Sequence, residues 1–147
     1  MTATDPTIDI CNELLRGEIS AVETYTQAIE TFDDNRVDLE LERIRDNHQQ
    51  NVYELQKLAN EMGAEPSTSS GVWGGFVQAL EGAATLFGES PALRILQAGE
   101  SHGISQYENA LANEDVSPEF KILIRKTLMP HLSTHLIELQ QRRDRVS

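Results

Sequence analysis

The stretches that decide the fold are GEISAVETY at positions 17–25 and GESHGISQY at positions 99–107. Both stretches begin with Gly-Glu and end with tyrosine, and the second follows the first at an offset of 82 positions. In each copy the glutamate falls where the apolar stripe of a helix should continue. A buried carboxylate needs a partner that satisfies it. Two carboxylates at matched places therefore predict one acidic site between helices.

The residues around the first stretch predict a helix over about residues 6–33. Its seam positions are separated alternately by four and three residues, which is the spacing found in helical bundles. The seam consists of Cys11, Leu15, Glu18, Val22, Tyr25, Ile29 and Phe32. The sequence Asp-Asp-Asn at 33–35 is typical of a short turn. A second helix over about 36–62 should therefore run antiparallel beside the first.

The second half of the chain predicts two more helices, over about 91–113 and 118–144. Each follows a serine and begins with a proline, which is tolerated there because the first helical N–H needs no partner. Pro130 falls inside the last helix, so we expect a kink at that point.

The long connection over residues 64–90 decides the topology. Two helical hairpins joined by one long crossover fit a ferritin-like, up-down-down-up four-helix bundle. We therefore predict a single all-α domain over residues 1–147. The crossover is apolar enough to form a short helix against the bundle. Alternatively, it is an exposed surface around Trp73 and Phe76 that binds a protein partner or a second copy of the chain.

Each predicted long helix places one ionisable side chain in its stripe, namely Glu18, His48, Glu100 or His135. In an antiparallel pair, Glu18 and His48 differ in height by about 5 Å. Height along the fourth helix slightly favours His131 over His135 as the neighbour of Glu100. Two carboxylates and two imidazoles suit one divalent transition metal ion, such as Fe, Zn or Mn.

The same side chains have a second interpretation as a buried polar network. Glu–His pairs inside a bundle can satisfy each other and fix the helix register without a ligand. The chain would then be a non-catalytic structural, interaction or stress-related bundle. Tyr25 and Tyr107 follow the glutamates by seven residues. We expect them to be core tyrosines with bonded hydroxyls rather than redox groups or outer partners of a metal.

A dinuclear carboxylate site is disfavoured by the residues that precede the histidines. Such a site needs Glu-x-x-His on two helices. Arg45 stands three residues before His48, and Leu132 stands three before His135. The second pair of carboxylates is therefore missing, which argues against di-iron oxidase chemistry.

Composition excludes several classes of function. The chain has 24 acidic and 12 basic residues, a net charge of −12, which opposes binding to nucleic acid or anionic lipid. Its single cysteine, Cys11, allows no intrachain disulfide and is expected to pack in the core. Neither a secretory leader nor a long apolar run is present, so we expect a cytoplasmic protein without a membrane span. Whether it is an enzyme stays open, since no motif specifies a reaction.

Three motifs in order resemble a bacterial ferritin-like four-helix-bundle family of unknown function. They are the double GE-x6-Y pattern, SG-x-WG-x-F at 70–76 and LMP-x4-H at 128–135. The resemblance extends over roughly residues 8–140, and it implies His135 rather than His131 as the histidine of the site. The first helix is also similar to those of bacterioferritin and rubrerythrin, in which a glutamate with this spacing to tyrosine binds iron. The chain departs from those enzymes at both Glu-x-x-His motifs.

Overall fold

The computed structural model describes residues 6–32, 38–71 and 75–146, and all regular secondary structure in these ranges is helical. In chain order the elements are α1 (Pro6–Phe32), α2 (Leu39–Glu61), α3 (Gly75–Phe87), α4 (Glu89–Ala112), α5 (Pro118–Leu123), a π-helical segment (Ile124–Leu128) and α6 (Met129–Val146). The all-α prediction is confirmed for this part of the chain. Across the same ranges, no helix combines the length and apolarity that a bilayer crossing requires.

Side-chain caps explain where two of the helices begin. Asp38 precedes α2, and its carboxylate accepts a hydrogen bond from the N–H of Leu41 at 3.1 Å. Ser117 precedes α5, and its hydroxyl accepts from the N–H of Phe120 at 3.3 Å. Pro118 occupies the first helical position, as the sequence predicted. Each cap satisfies an N–H group that has no partner within its own helix.

The long connection contains α3, and it joins α4 through a single residue. Gly88 has a φ of +96°, a backbone conformation that glycine adopts at little cost, and so permits the break between the helices. Because α4 begins at Glu89, it starts two residues earlier than predicted, and Pro91 lies inside its first turn. Leu80 is fully buried, so α3 contributes to the core. The side chains of Trp73 and Phe76 lie outside the described residues.

The last helical path contains a π turn directly before Pro130. The N–H of Met129 donates to the carbonyl of Ile124, five residues back. Proline has no N–H for a normal helical bond and usually disturbs the helix before it. A π turn takes up one extra residue. It therefore changes which residues of α6 face the core, so that His135 is buried while His131 is only partly buried.

Among the described residues, the core consists of two apolar clusters, one on each side of a polar layer. In α1, Leu15 belongs to one cluster and Ala28 to the other, and Glu18 lies between them. In α2, α4 and α6 likewise, the buried residues before and after the ionisable residue belong to different clusters. These ionisable residues are His48, Glu100 and His135. Complete burial of one leucine side chain stabilises a fold by about 1.5–3 kcal/mol. The apolar clusters therefore provide the stability that a buried polar layer needs.

Candidate metal centre

Glu18, His48, Glu100 and His135 meet in the polar layer, and each is at most 4% exposed. His48 is central. Its Nδ1 lies 2.5 Å from Oε1 of Glu18, and its Nε2 lies 2.7 Å from Oε2 of Glu100. The other oxygen of Glu100 lies 3.2 Å from Nδ1 of His135. The four side chains thus form a hydrogen-bonded chain that links α1, α2, α4 and α6.

Neighbouring opposite charges determine the protonation states of His48 and Glu100. Burial disfavours the charged form of His48, but the carboxylates of Glu100 and Glu18 outweigh it and raise the pKa of His48 to about 10. Burial also opposes ionisation of Glu100, but His48 and His135 lower the pKa of its carboxyl group to about 2. At neutral pH the layer therefore holds an imidazolium on His48 beside a carboxylate on Glu100.

Each tyrosine of the repeated pattern hydrogen-bonds the glutamate of the other copy of the pattern. The Tyr25 hydroxyl donates to Glu100 at 2.6 Å, and the Tyr107 hydroxyl donates to Glu18 at 2.5 Å. Each tyrosine lies seven residues, or about 10.5 Å, beyond the glutamate of its own helix. Reciprocal bonds at this spacing require α1 and α4 to run antiparallel. Burial and then the adjacent carboxylate raise the pKa of both hydroxyls well above the ordinary value, so they remain donors.

Two asparagines of α2 complete the network, and sequence reasoning missed both. Asn51 is fully buried, and its amide donates to Glu18 at 3.0 Å and to a backbone carbonyl of the π-helical segment. The amide of Asn47 lies 2.9 Å from Nε2 of His135. Asn51 follows His48 by three residues and lies on the same seam. A polar residue at a seam position is the signal that could have identified it.

His135, rather than His131, lies beside Glu100. The ring of His131 is 6.3 Å from that of His135, centroid to centroid. Its Nδ1 is buried without a hydrogen-bond partner, and burial together with the nearby His135 lowers its pKa. His131 therefore lies beside His135 and is hydrogen-bonded to the backbone of Asn47, while His135 makes the contact with Glu100.

Residues 6–114 match the family described as Domain of unknown function (DUF2383). The chain belongs to this family. The matched region includes Glu18, His48 and Glu100, and it ends before His135. No curated protein and no solved structure matches the chain. Membership of a family of unknown function assigns no reaction, so the chemistry must be inferred from the geometry.

Three of the buried side chains form a group that could hold one metal ion. One donor atom from each of His48, Glu100 and His135 lies within 4.8 Å of the other two. Glu18 is outside this group and contacts the opposite nitrogen of His48. The second nitrogen of His135 contacts Asn47. Metal-binding histidines ordinarily donate their other ring N–H to an outer partner, a role that Asn47 would fill with its amide oxygen, instead of its nitrogen, turned toward Nε2.

The positions that would serve a second metal ion carry no carboxylate. Arg45 lies 3.9 Å from Asp46, an exposed neighbour in sequence. Leu132 is buried in one of the apolar clusters. The side chains at these two positions therefore provide no ligands for a dinuclear centre of the Glu-x-x-His type.

Proposed function

We propose that this chain is a single-domain, ferritin-like up-down-down-up bundle that binds one divalent transition metal ion through His48, Glu100 and His135. The antiparallel arrangement of α1 and α4 supports this topology. The observation that carries the proposal is the convergence of three buried donor atoms within 4.8 Å. Two imidazoles and a carboxylate suit Zn, Fe or Mn and leave coordination positions open.

In the proposed metal-bound state, His48 would give up the Nε2 proton that it now donates to Glu100. Nε2 of His48 would coordinate the ion, while its Nδ1–H continues to donate to Glu18. Glu18 is therefore a positioning residue that aligns the imidazole. Asn47 would do the same for His135 with its amide turned, so that its oxygen instead of its nitrogen faces the Nε2–H. Loss of such an outer partner typically weakens metal binding by about 10- to 100-fold.

A second candidate function is a structural bundle whose Glu/His network only fixes the packing of its helices. One specific observation favours it, because the ionisable side chains already contact one another at 2.5–3.2 Å. These contacts satisfy both nitrogens of His48 without a ligand, although Oδ1 of Asn51 in the same network is buried without a hydrogen-bond partner. The two candidates differ in whether the network exchanges a proton for a metal ion.

Metal content distinguishes the two functions. Protein without a histidine tag is supplied separately with Zn²⁺, Fe²⁺ and Mn²⁺, desalted and measured by elemental analysis. We expect one ion per chain with at least one metal, and almost none in Glu100→Gln or His135→Gln. His131→Gln is the matched control, because it removes a histidine one turn away on the same helix and should retain the ion.

The result that contradicts metal binding is equally specific. A content near zero with all three metals, together with a melting temperature that a chelator does not change, would support the structural bundle. Circular dichroism of each variant establishes that it is folded. In Glu18→Gln we expect the ion to bind, with an affinity about 10- to 100-fold lower than in the unaltered chain.

A further inference from the structure

A cavity of about 70 Å³ lies between α1 and α4, next to the proposed metal site. A water molecule occupies about 30 Å³ in the liquid, so the space corresponds to roughly two waters. His48 and Glu100 line it, whereas His135 does not. Much of the remaining wall is formed by aliphatic side chains, including Leu14, Ala21 and Leu96.

The glycine of each repeated Gly-Glu pair lines this cavity, and neither the metal site nor the polar network uses it. Gly17 and Gly99 lie inside α1 and α4, where glycine destabilises a helix relative to alanine. Tight packing does not explain Gly17, because a Cβ there would meet no atom within 4 Å. Gly103 differs, since its Cβ would lie 2.7 Å from a methyl group of Leu132. Gly17 therefore leaves space that the fold does not require.

We propose that the cavity is a ligand chamber that admits a small uncharged molecule to the open coordination position beside His48 and Glu100. Delivery to a metal rests on the proposed function, whereas the chamber itself does not. The volume admits about two or three non-hydrogen atoms. Aliphatic walls disfavour a charged ligand, and the carboxylates of Glu18 and Glu100 repel an anion.

The chamber is tested first without metal, by exposing crystals of the metal-free protein to xenon under pressure. We expect a xenon atom in the cavity of the unaltered chain and none in Gly17→Leu, whose side chain would fill the space. Gly82→Leu is the matched control, because Gly82 lies inside α3 and does not line the cavity, and its Cβ would also meet no atom within 4 Å. An unaltered chain that binds no xenon there would overturn the proposal.

Delivery to the metal is tested with nitric oxide, an uncharged diatomic probe, added to protein loaded with Fe²⁺. We expect the electron paramagnetic resonance signal of the iron–nitrosyl complex in the unaltered chain and in Gly82→Leu. In Gly17→Leu the affinity for nitric oxide should fall at least tenfold. Equal affinity in Gly17→Leu would overturn the proposal. If Gly17→Leu does not fold, Gly17→Ala, which adds one methyl group in open space, should reduce both xenon occupancy and nitric oxide affinity.

Metal content separates failure of this inference from failure of the proposed function. Suppose that every variant binds one iron per chain, that no xenon enters the cavity and that Gly17→Leu does not change the affinity for nitric oxide. These results would support the metal site and contradict the chamber. Xenon in the cavity of a chain that binds no metal would contradict the metal site and delivery to it.

Discussion

Two of the groups of charged side chains that join the helices of this protein differ in burial and in chemistry. Near the helix ends, Arg142 binds both carboxylate oxygens of Asp38, at 2.7 and 2.9 Å. Its guanidinium also lies 3.5 Å from Glu89 and 5.7 Å from the ring centroid of Phe32. The side chains of Arg142 and Asp38 are each 13% exposed. This group connects α1, α2, α4 and α6 at one end of the molecule.

The polar layer connects the same four helices, but it does so inside the core. The side chains of His48 and Glu100 are 3% and 1% exposed. Arginine stays protonated and has no lone pair to offer, so the Arg142 group can only hold helices together. A histidine that loses its proton becomes a metal ligand. The two groups therefore differ in chemistry, because a deprotonated His48 could bind a metal ion whereas Arg142 could not.

The largest effect on stability is expected from Glu100→Ala. The substitution leaves His48 and His135 in the core without their shared carboxylate. Removal of one partner from a buried ion pair costs about 3–5 kcal/mol. Urea denaturation of the metal-free protein measures the loss. A loss below about 1 kcal/mol would contradict the view that this layer is a coupled, buried network.

The pH dependence of the metal-free protein should show the next largest effect. The pKa of His48 is raised from 6.5 to about 10, so its stabilising contribution is complete below pH 6.5 and is lost as the pH rises toward 10. The pKa of Glu100 is lowered from 4.5 to about 2, so its contribution is complete above pH 4.5 and is lost as the pH falls toward 2. We expect a loss of about 2 kcal/mol in the free energy of unfolding between pH 7 and 9.

This pH profile can be assigned to the layer by a control variant. His48→Gln should flatten the decline above pH 7, whereas Arg142→Ala should leave its shape unchanged. A profile of the unaltered chain that is already flat from pH 7 to 9 would contradict the described charges.

A smaller effect is expected from Arg142→Ala, which tests the other side of the comparison. The charged hydrogen bonds to Asp38 are partly accessible to water, so we expect a loss of about 1–2 kcal/mol by urea denaturation. Metal content should remain that of the unaltered chain. A loss of metal in Arg142→Ala would show that the two groups are coupled rather than independent.

The smallest effect is expected from Gly17→Ala, and it has the opposite sign. Alanine is favoured over glycine inside a helix by about 0.5–1 kcal/mol, and the added methyl group meets no atom. The variant should therefore unfold at slightly higher urea concentration. Destabilisation would indicate that Gly17 serves the packing of α1 rather than an open cavity.

The sequence predicted the all-α class and the four ionisable residues of the polar layer, because heptad spacing identifies the buried face of a helix. The expected contacts of Glu18 with His48 and of Glu100 with His135 are both present. The further contact of His48 with Glu100, which links the two pairs, was not predicted. Spacing within one helix does not specify which side chain of a neighbouring helix lies opposite, so the reciprocal bonds of the tyrosines were also missed.

The π turn explains why helix height could not identify His135 as the histidine beside Glu100. The buried residues Phe120, Ile124, Leu128 and Leu132 follow one another at intervals of four. A regular α-helix with 3.6 residues per turn would rotate such a series away from the core. The wider π turn keeps them on one face. A height estimate that assumed a regular helix therefore could not decide between His131 and His135.

Anomalous scattering from crystals soaked in Zn²⁺, measured on both sides of the zinc absorption edge, tests the central claim most directly. We predict one strong peak per chain within about 2.0–2.2 Å of a ligand atom of His48, Glu100 and His135. The peak should be absent from Glu100→Gln crystals treated in the same way. A structure with the hydrogen bonds of His48 intact and zinc bound only to surface carboxylates would contradict the account.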